Sequence, residues 1–220
     1  MPAISADDQN WLKAKWQALT ESVAAEKAAS DAIWDALVRN YSEPHRAYHN
    51  LSHIKAMLRH ADACRDPIHS AATVEFAIWF HDVIYDTRAK DNEQRSAAFA
   101  RDAMRSMGID EKLRACVEAC ILATQKHEPA PAPGVPDLPL FLDLDLAILG
   151  TSEAVYRQYS EAIRTEYNWV PGPAYRLGRS KVLKRFAQRP ALFFTPAMTA
   201  RFEAQARRNL DWEIQELSFF

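Results

Sequence analysis

The feature that most constrains the fold is an almost uniformly apolar segment that ends in a histidine and an aspartate. The stretch from Ser70 to Ile84 carries the letters A-I-W-F just before His81 and Asp82. A helix that is apolar on all sides is usually buried inside a bundle. We therefore expect a helical protein built around this segment, with the His-Asp pair at the end of its buried helix.

Helical spacing of apolar residues continues through most of the chain, and no stretch shows the alternation that is typical of a strand. Glycine is scarce, with five residues in 220, so few positions break the helices. Asn50 and Asp110 are predicted N-caps, and Thr195 followed by Pro196 predicts the start of the last helix. We predict a single all-α domain over residues 1–220 with about eight or nine helices. Its later helices are predicted at Glu93 to Met107, Asp110 to Lys126, Phe141 to Gly150, Ser152 to Tyr167 and Pro173 to Ala187.

The one low-complexity stretch, Glu128 to Pro139, contains five prolines. Such a composition favours an irregular, partly extended loop. We interpret it as a surface loop within one domain rather than a linker, because polar motif residues lie on both sides of it.

The bulk composition excludes several classes of partner. The net charge is −2 and the basic residues are spread along the chain, so we expect neither a nucleic-acid nor a membrane surface. The first residues show no leader peptide, no apolar run approaches a membrane span, and the three cysteines are expected to be reduced thiols. We therefore expect a cytoplasmic protein, with its oligomeric state open.

Two histidine motifs carry potential chemistry. His49 and His53 lie four residues apart, so a helix starting after Asn50 places His49 just outside it and His53 in its first turn. Burying His81 and Asp82 costs several kcal/mol unless they pair or bind a cation. The alternatives are two surface or capping histidines, and a His-Asp pair that bonds a carbonyl and caps a turn.

A further pair of carboxylates follows the proline-rich loop. Asp143 and Asp145 are two residues apart, so on a helix their side chains diverge by about 200° and cannot both face one site. Asp145 precedes the apolar run L-A-I-L and is expected to face inward. Asp143 is expected to be solvated or to act as a cap.

Together, His53, His81, Asp82 and Asp145 offer two imidazoles and two carboxylates from three predicted helices. Mixed nitrogen and oxygen ligation suits Mn²⁺, Fe²⁺, Co²⁺, Ni²⁺ or Zn²⁺, with Mg²⁺ as a further possibility. Four protein ligands leave positions open for water, whose pKa a divalent cation lowers. Whether one ion or two is bound stays open.

At these residues the chain resembles the HD superfamily of metal-dependent phosphohydrolases, in a bacterial branch known mainly as predicted HD-type phosphohydrolases. The resemblance covers Arg46 to Gly150 and is most specific in R-A-Y-H-N-L-S-H-I, W-F-H-D-V-I-Y-D and L-D-L-D-L-A-I-L-G. It implies an HD-type helical bundle with its metal-site core at about 46–150 and the helices of 151–220 packed on it. The residues that it implies as metal ligands are His53, His81, Asp82 and Asp145.

Two narrower resemblances suggest roles beside the metal. Y-H-N-L-S-H-I is similar to a stretch of cyclic-nucleotide phosphodiesterases, which implies that His49 donates a proton to the leaving oxygen. H-D-V-I-Y-D-T is similar to the H-D-x-x-E-D-T of the hydrolase domain of bacterial alarmone enzymes. This implies a water-orienting role for Asp86, although Tyr85 stands where that motif has a glutamate.

The remaining candidates concern a second ion and the substrate. His127 is interpreted as a cavity residue or a second-metal ligand, by comparison with HD proteins that bind two metals, or else as an ordinary helix-end residue. Arg46, Arg88 and Lys90 are expected to hold a phosphate by charge-assisted hydrogen bonds. For Arg88 and Lys90 the alternative is a charged helix start.

The sequence thus predicts a metal-dependent phosphohydrolase that cleaves a small phosphate ester, expected to be a nucleotide, with a metal-activated water. Three alternatives stay open at this stage. They are a non-catalytic nucleotide-binding module of the same fold, a diiron oxygenase of the HD type, and a purely structural helical protein.

Overall fold

The structure, a computed structural model, describes residues 4–64, 68–129 and 134–218. These residues form ten α-helices and one 3₁₀ helix, and none of them lies in a β-strand. The helices are α1 (Ala6–Ser22), α2 (Lys27–Tyr41), α3 (Leu51–Asp62), α4 (Ala71–Phe80), α5 (Asn92–Ser106), α6 (Glu111–Ala123), α7 (Leu138–Leu146), the 3₁₀ helix (Ala147–Gly150), α8 (Glu153–Glu166), α9 (Gly172–Ala187) and α10 (Pro196–Glu216). The all-α prediction is confirmed, and the predicted eight or nine helices fall short of the ten observed.

Helix α4 lies at the centre of the core, as its composition predicts. Its residues Phe76, Trp79 and Phe80 are fully buried, and the Trp16 ring of α1 meets all three edge-on at centroid distances of 5.7 to 5.9 Å. Helices α1, α3, α5, α6 and α7 pack around α4. The end of α4 is therefore surrounded by other helices, and the residues that follow it are held inside the protein.

The predicted caps mark real helix starts. The Asn50 side chain accepts the Ser52 N–H at the start of α3, and Asp110 accepts the Leu113 N–H at the start of α6. Helix α10 begins at Pro196 after Thr195. These positions were readable because capping depends on the local sequence alone.

The predicted extension of the central helix to Ile84 is wrong, because α4 ends at Phe80. The guanidinium of Arg46 donates to the carbonyl oxygens of Asp82 and Val83, which would otherwise be available to a continuing helix. His81 is the C-cap residue of α4, and Asp82 lies in the turn that follows. The His-Asp pair is thus presented by a turn rather than along a helix face.

The proline-rich segment leads directly into α7, and its residues 130–133 lie outside the described part of the chain. Its far end is fixed, because the Asp137 carboxylate accepts the N–H groups of His69 and Ser70 at the start of α4. This contact joins α7 to α4 within one compact domain. The hypothesis of a linker between separate domains therefore fails.

The C-terminal helices pack on the end of α7 and the 3₁₀ helix. Asn209 of α10 donates to the carbonyl oxygens of Leu149 and Thr151, and a Cβ at Gly150 would lie 2.5 Å from Phe202. This close approach fixes α10 against the segment that carries Asp145. Among the described helices, none combines the length and apolar character that a membrane crossing needs.

Candidate metal centre

Two histidines and two aspartates converge at the point where α3, α4 and α7 meet. His53 Nε2 lies 3.2 Å from His81 Nε2 and 3.1 Å from Asp145 Oδ1. His81 Nε2 lies 3.1 Å from Asp82 Oδ2 and 3.6 Å from Asp145 Oδ1. One ligand atom each from His53, His81 and Asp82 lies within 4.8 Å of the other two. The structure therefore brings together all four residues that the sequence singled out as ligands.

The donor set of this cluster fits a divalent cation. The Nδ1–H of His81 donates to the Ile78 carbonyl oxygen at 3.0 Å, so a neutral His81 turns a bare Nε2 toward the carboxylates. Lone pairs of two imidazoles and two carboxylates then meet in a nearly closed space, which needs a proton or a metal ion. Metal–ligand distances of about 2.1 Å place neighbouring ligand atoms of an octahedral ion about 3 Å apart, close to the short distances observed.

The local chain geometry explains how each ligand reaches the cluster. His53 lies in the first turn of α3 behind its Asn50 cap, as predicted, and it is almost fully buried. Asp145 lies in the last turn of α7. The two carboxylates of α7 do diverge, since the fully buried Asp143 accepts the N–H groups of Phe194 and Thr195 at the start of α10. The option of a solvated Asp143 is wrong, because its buried carboxylate binds the segment just before α10.

The charges of the cluster shift its pKa values strongly. Burial disfavours a charged His81, but the carboxylates of Asp82 and Asp145 outweigh it and raise the pKa of His81 to about 9. Burial likewise disfavours the charged forms of both aspartates, yet the neighbouring histidines hold their pKa values below the ordinary range. For His53 burial dominates and lowers its pKa. Both aspartates are therefore held in their ionised form, and their negative charge stabilises a proton or a cation beside them.

His49 lies beside the cluster without joining it. Its Nε2 is 4.0 Å from Asp82 Oδ2, and its Nδ1–H donates to Glu166 Oε2 at 2.7 Å. Glu166 also accepts the backbone N–H of His49. This bond leaves Nε2 as the ring nitrogen that faces the cluster, so a protonated His49 presents its Nε2 proton there. The sequence analysis did not find Glu166, which lies 117 residues away on α8.

Tyr85 completes the support of His49. Its ring stacks on the imidazole at a centroid distance of 4.2 Å, and its hydroxyl donates to Glu166 Oε2 at 2.9 Å. Burial opposes charge on His49, but Glu166 outweighs it and raises the pKa of His49. Burial similarly opposes charge on Glu166, whose pKa falls to about 2 because of His49 and two backbone N–H groups. The tyrosine that replaces a glutamate of the resembling motif therefore holds the histidine–glutamate pair.

Arg46 has a different place from the one expected of a phosphate-binding residue. Its guanidinium is buried, and it donates to the carbonyl oxygens of His49, Asp82 and Val83 as well as to the Glu43 carboxylate. It therefore fastens the loop before α3 to the turn after α4. We do not carry Arg46 forward as a phosphate contact, because its donors are engaged inside the protein.

His127 reaches the cluster from the end of α6. Its Nε2–H donates to Asp145 Oδ2 at 2.7 Å, on the carboxylate oxygen opposite to the one that faces His53. Its backbone adopts a φ of +49°, a left-handed conformation that histidine tolerates better than most residues, and Arg189 binds its carbonyl oxygen. His127 is thus a cavity residue that orients a ligand carboxylate.

The cluster opens into a cavity of about 390 Å³, which we call the site cavity. The rest of its wall is apolar or aromatic, and its polar lining residues are His49, Asp82, Glu93, Thr124, Gln125, His127, Asp145, Arg179 and Arg185. The wall residues are Tyr48, Tyr85, Leu146, Ile148, Leu149, Tyr159, Ile163, Tyr167, Val182, Leu183 and Phe186. A cavity that combines apolar and aromatic walls with several convergent polar groups has the form expected of a small-molecule site.

Three other predicted residues do not reach the site cavity. Asp86 and Arg88 line a second, flanking cavity, where the Asp86 carboxylate accepts the Arg88 N–H and the Arg88 guanidinium lies over the Trp169 ring. Lys90 is exposed and lines neither cavity. The expected water-orienting role of Asp86 and phosphate-binding roles of Arg88 and Lys90 therefore have no geometric support. The turn after Val83 directs these side chains away from the histidine–aspartate cluster.

Two arginines of α9 line the site cavity instead. Arg179 is held by the Glu213 carboxylate, with Nε–Oε1 and Nη2–Oε2 distances of 2.8 and 3.0 Å. Arg185 is exposed, and it has no carboxylate partner within the described residues. Sequence reasoning missed both residues, because their helix shows no motif.

Comparison with known proteins adds no relative. No protein-family model, no curated protein and no solved structure matches this chain.

Proposed function

We propose that the protein is a metal-dependent phosphohydrolase that cleaves a small phosphate ester, with a nucleotide as the expected substrate class. The observation that carries the proposal is the pairing of two sites in one cavity. A cluster with the donor set of a divalent-cation site lies next to a histidine whose Nδ1–H donates to a buried glutamate, so that its Nε2 faces the cluster. A bound metal ion and a positioned proton donor are two groups that promote the hydrolysis of a phosphate ester.

His53, His81, Asp82 and Asp145 would hold the cation, and their mixed nitrogen and oxygen donors favour Mn²⁺, Fe²⁺, Co²⁺, Ni²⁺ or Zn²⁺. When bound, such an ion supplies a Lewis acid for a phosphoryl oxygen and increases the acidity of water. Asp145 is held in place on its other oxygen by His127. Such outer contacts fix the direction of a ligand and typically contribute 10- to 100-fold to affinity or activity.

His49 is the proposed general acid. The bond from its Nδ1–H to Glu166 fixes the ring, so the Nε2 proton can pass to the oxygen that leaves the phosphorus. Tyr85 keeps the imidazole in this orientation by stacking on one face. Glu166 and Tyr85 act through His49, and we assign them positioning roles.

The rest of the site cavity suits the organic part of the substrate. Tyr48, Tyr159, Tyr167 and Phe186 provide aromatic faces, and a cavity of about 390 Å³ is of the size that encloses a drug-sized molecule. Arg185 provides a cation without a carboxylate partner among the described residues, which suits an anionic group by charge-assisted hydrogen bonding. An aromatic wall and one such cation together favour a nucleoside phosphate over a small sugar phosphate.

A phosphate-release screen tests this proposal. Protein without a histidine tag would be stripped with a chelator and reloaded separately with each of Mn²⁺, Fe²⁺, Co²⁺, Ni²⁺, Zn²⁺ and Mg²⁺. The substrates would be nucleoside monophosphates, cyclic nucleotides, guanosine tetraphosphate, sugar phosphates and p-nitrophenyl phosphate, with the Asp82→Asn variant as control. Turnover that needs both the ion and Asp82 supports the proposal, and no turnover of any substrate with any ion contradicts it.

The same screen separates the alternatives. A non-catalytic nucleotide-binding module predicts that ligand binding is lost on chelation without release of phosphate, and it gives the His49–Glu166 pair no task. A diiron oxygenase predicts an iron-dependent visible absorption band. His127 is the only histidine in the sequence between Asp82 and Asp145, and its Nε2–H bonds a carboxylate, so the diiron oxygenase is the weaker hypothesis.

A further inference from the structure

Hydrolysis of a phosphate ester needs a group that takes a proton from the attacking water, and the proposed function leaves that task open. Three carboxylates line the site cavity: Asp82, Asp145 and Glu93. Asp82 and Asp145 are engaged by the cluster histidines and by His127. Glu93 is different, because its carboxylate accepts no hydrogen bond and forms no ion pair within the described part of the chain.

The backbone around Glu93 is held firmly against the turn that carries the His-Asp pair. Its neighbour Asn92 accepts the Asp86 N–H at 3.1 Å and donates to the Asp86 carbonyl oxygen at 2.9 Å. One turn later, the Ser96 hydroxyl accepts the Ile84 N–H and donates to the Ile84 carbonyl oxygen. The first turn of α5 is thus bound to the segment that directly follows Asp82, and this places Glu93 in the wall of the site cavity.

An acidic residue in the first turn of a helix usually serves the helix itself. It caps an N–H group, or it faces solvent and interacts with the helix dipole. Glu93 accepts no N–H, and Asp91 makes no side-chain cap at this helix start. Glu93 is half-buried in the cavity wall rather than on the solvent face. Helix stabilisation alone therefore does not explain its position.

We propose that Glu93 is the proton acceptor for the attacking water, an inference that rests on the proposed phosphohydrolase function. The water oxygen forms a bond to phosphorus while one of its protons passes to the Glu93 carboxylate. The bond from phosphorus to the leaving oxygen breaks, and that oxygen takes the Nε2 proton of His49. Glu93 then loses its proton to solvent and His49 regains one, so the products are an alcohol and inorganic phosphate.

The test compares Glu93→Gln with Glu93→Asp, and uses Asp91→Asn as a matched control two residues away. Asp91 is exposed and lies outside the site cavity. For a substrate that the parent hydrolyses, Glu93→Gln is expected to lower kcat by about 100-fold or more. Glu93→Asp is expected to recover part of that loss, and Asp91→Asn is expected to match the parent.

Two further measurements separate this role from a structural or metal-binding one. Metal content should be the same in Glu93→Gln as in the parent. Equilibrium binding of inorganic phosphate should tighten about fourfold or more, because a carboxylate in the same cavity as the anion is removed. Replacement of a residue with a merely structural role would not tighten phosphate binding.

The outcomes are distinguishable. If the parent hydrolyses substrate and Glu93→Gln keeps a third or more of its kcat, Glu93 is not the acceptor and the proposed function stands. Loss of metal from Glu93→Gln overturns the inference as well, because it makes Glu93 a ligand. If the parent hydrolyses nothing, the proposed function fails and this inference fails with it.

Discussion

The Nδ1 atom of His49 lies 2.7 Å from Oε2 of Glu166, although the two residues are 117 positions apart in the chain. Glu166 is buried at the end of α8, and it also binds the backbone N–H groups of Tyr48 and His49. One carboxylate therefore fixes both the loop before α3 and the tautomer of the histidine. The orientation of the proposed acid thus depends on the C-terminal helices as well as on the metal-site core.

Replacement of Glu166 tests this dependence through the pH profile of hydrolysis. His49 must be protonated to act as an acid, so activity should fall as the pH rises through its pKa. Glu166 raises that pKa, and the Glu166→Gln variant should therefore lose activity at a lower pH than the parent, with kcat reduced about 10- to 100-fold. Rates measured from pH 5 to 10, with an NMR titration of His49, check both parts. An unchanged pH profile would contradict a role for Glu166 in holding the proton.

The His49–Glu166 pair also predicts how the free energy of unfolding depends on pH. The pKa of Glu166 is about 2 in the folded protein and 4.5 for an ordinary glutamate. A carboxylate whose pKa is lowered by folding stabilises the folded state above pH 4.5 by an amount on the order of 3 kcal/mol. This contribution is lost as the pH falls toward 2. Urea unfolding at pH 7 and at pH 3 should therefore differ less for Glu166→Gln than for the parent. An equal loss of stability in both proteins would contradict the predicted contribution.

Each of the four proposed ligands is marked by a local pattern in the sequence. His53 follows the Asn50 cap, and His81 with Asp82 ends an apolar helix, so local spacing alone placed them near a site. Asp145 was separated from Asp143 by the geometry of one helix. The support for His49 was beyond such reasoning, because Glu166 lies on a distant helix and in no motif.

The positions of Asp86 and Arg46 also could not be predicted from the sequence. Resemblance to a motif aligned Asp86 with a catalytic acid, but the turn after Val83 sends it into the flanking cavity. Arg46 carries a charge that suits a phosphate, yet its guanidinium donates to carbonyl oxygens of the turn after α4 instead. Where a helix ends and which carbonyl groups it leaves open depend on tertiary packing, so these two side chains could not be placed from the sequence.

Arg46 is therefore predicted to act on stability. The Arg46→Met variant leaves the carbonyl oxygens of His49, Asp82 and Val83 without a donor among the residues that the structure describes. We expect the free energy of unfolding to fall by about 3 kcal/mol, whereas Arg88→Met should change it by less than about 1 kcal/mol. Urea unfolding followed by circular dichroism measures both. Equal stability of the two variants would contradict the bridging role of Arg46.

Arg185 is predicted to act on substrate binding. Its guanidinium lines the site cavity without a carboxylate partner among the described residues, so Arg185→Gln should raise KM about tenfold or more and change kcat little. Lys184→Gln, a charge-matched change at an exposed neighbouring position outside the cavity, should leave KM close to the parent value. Steady-state kinetics on the best substrate of the screen decide this. A larger increase in KM for Arg88→Gln than for Arg185→Gln would contradict this prediction and would indicate that the phosphate binds in the flanking cavity.

The metal centre itself is tested most directly by elemental analysis of the protein purified without a histidine tag, with circular dichroism to show that each variant is folded. The convergence of His53, His81, Asp82 and Asp145 predicts one or more equivalents of Mn, Fe, Co, Ni or Zn in the parent. It also predicts that the metal is lost in Asp82→Asn and retained in Asp86→Asn, whose carboxylate lies in the flanking cavity. A parent that takes up no ion, even after incubation with each metal, would contradict the account.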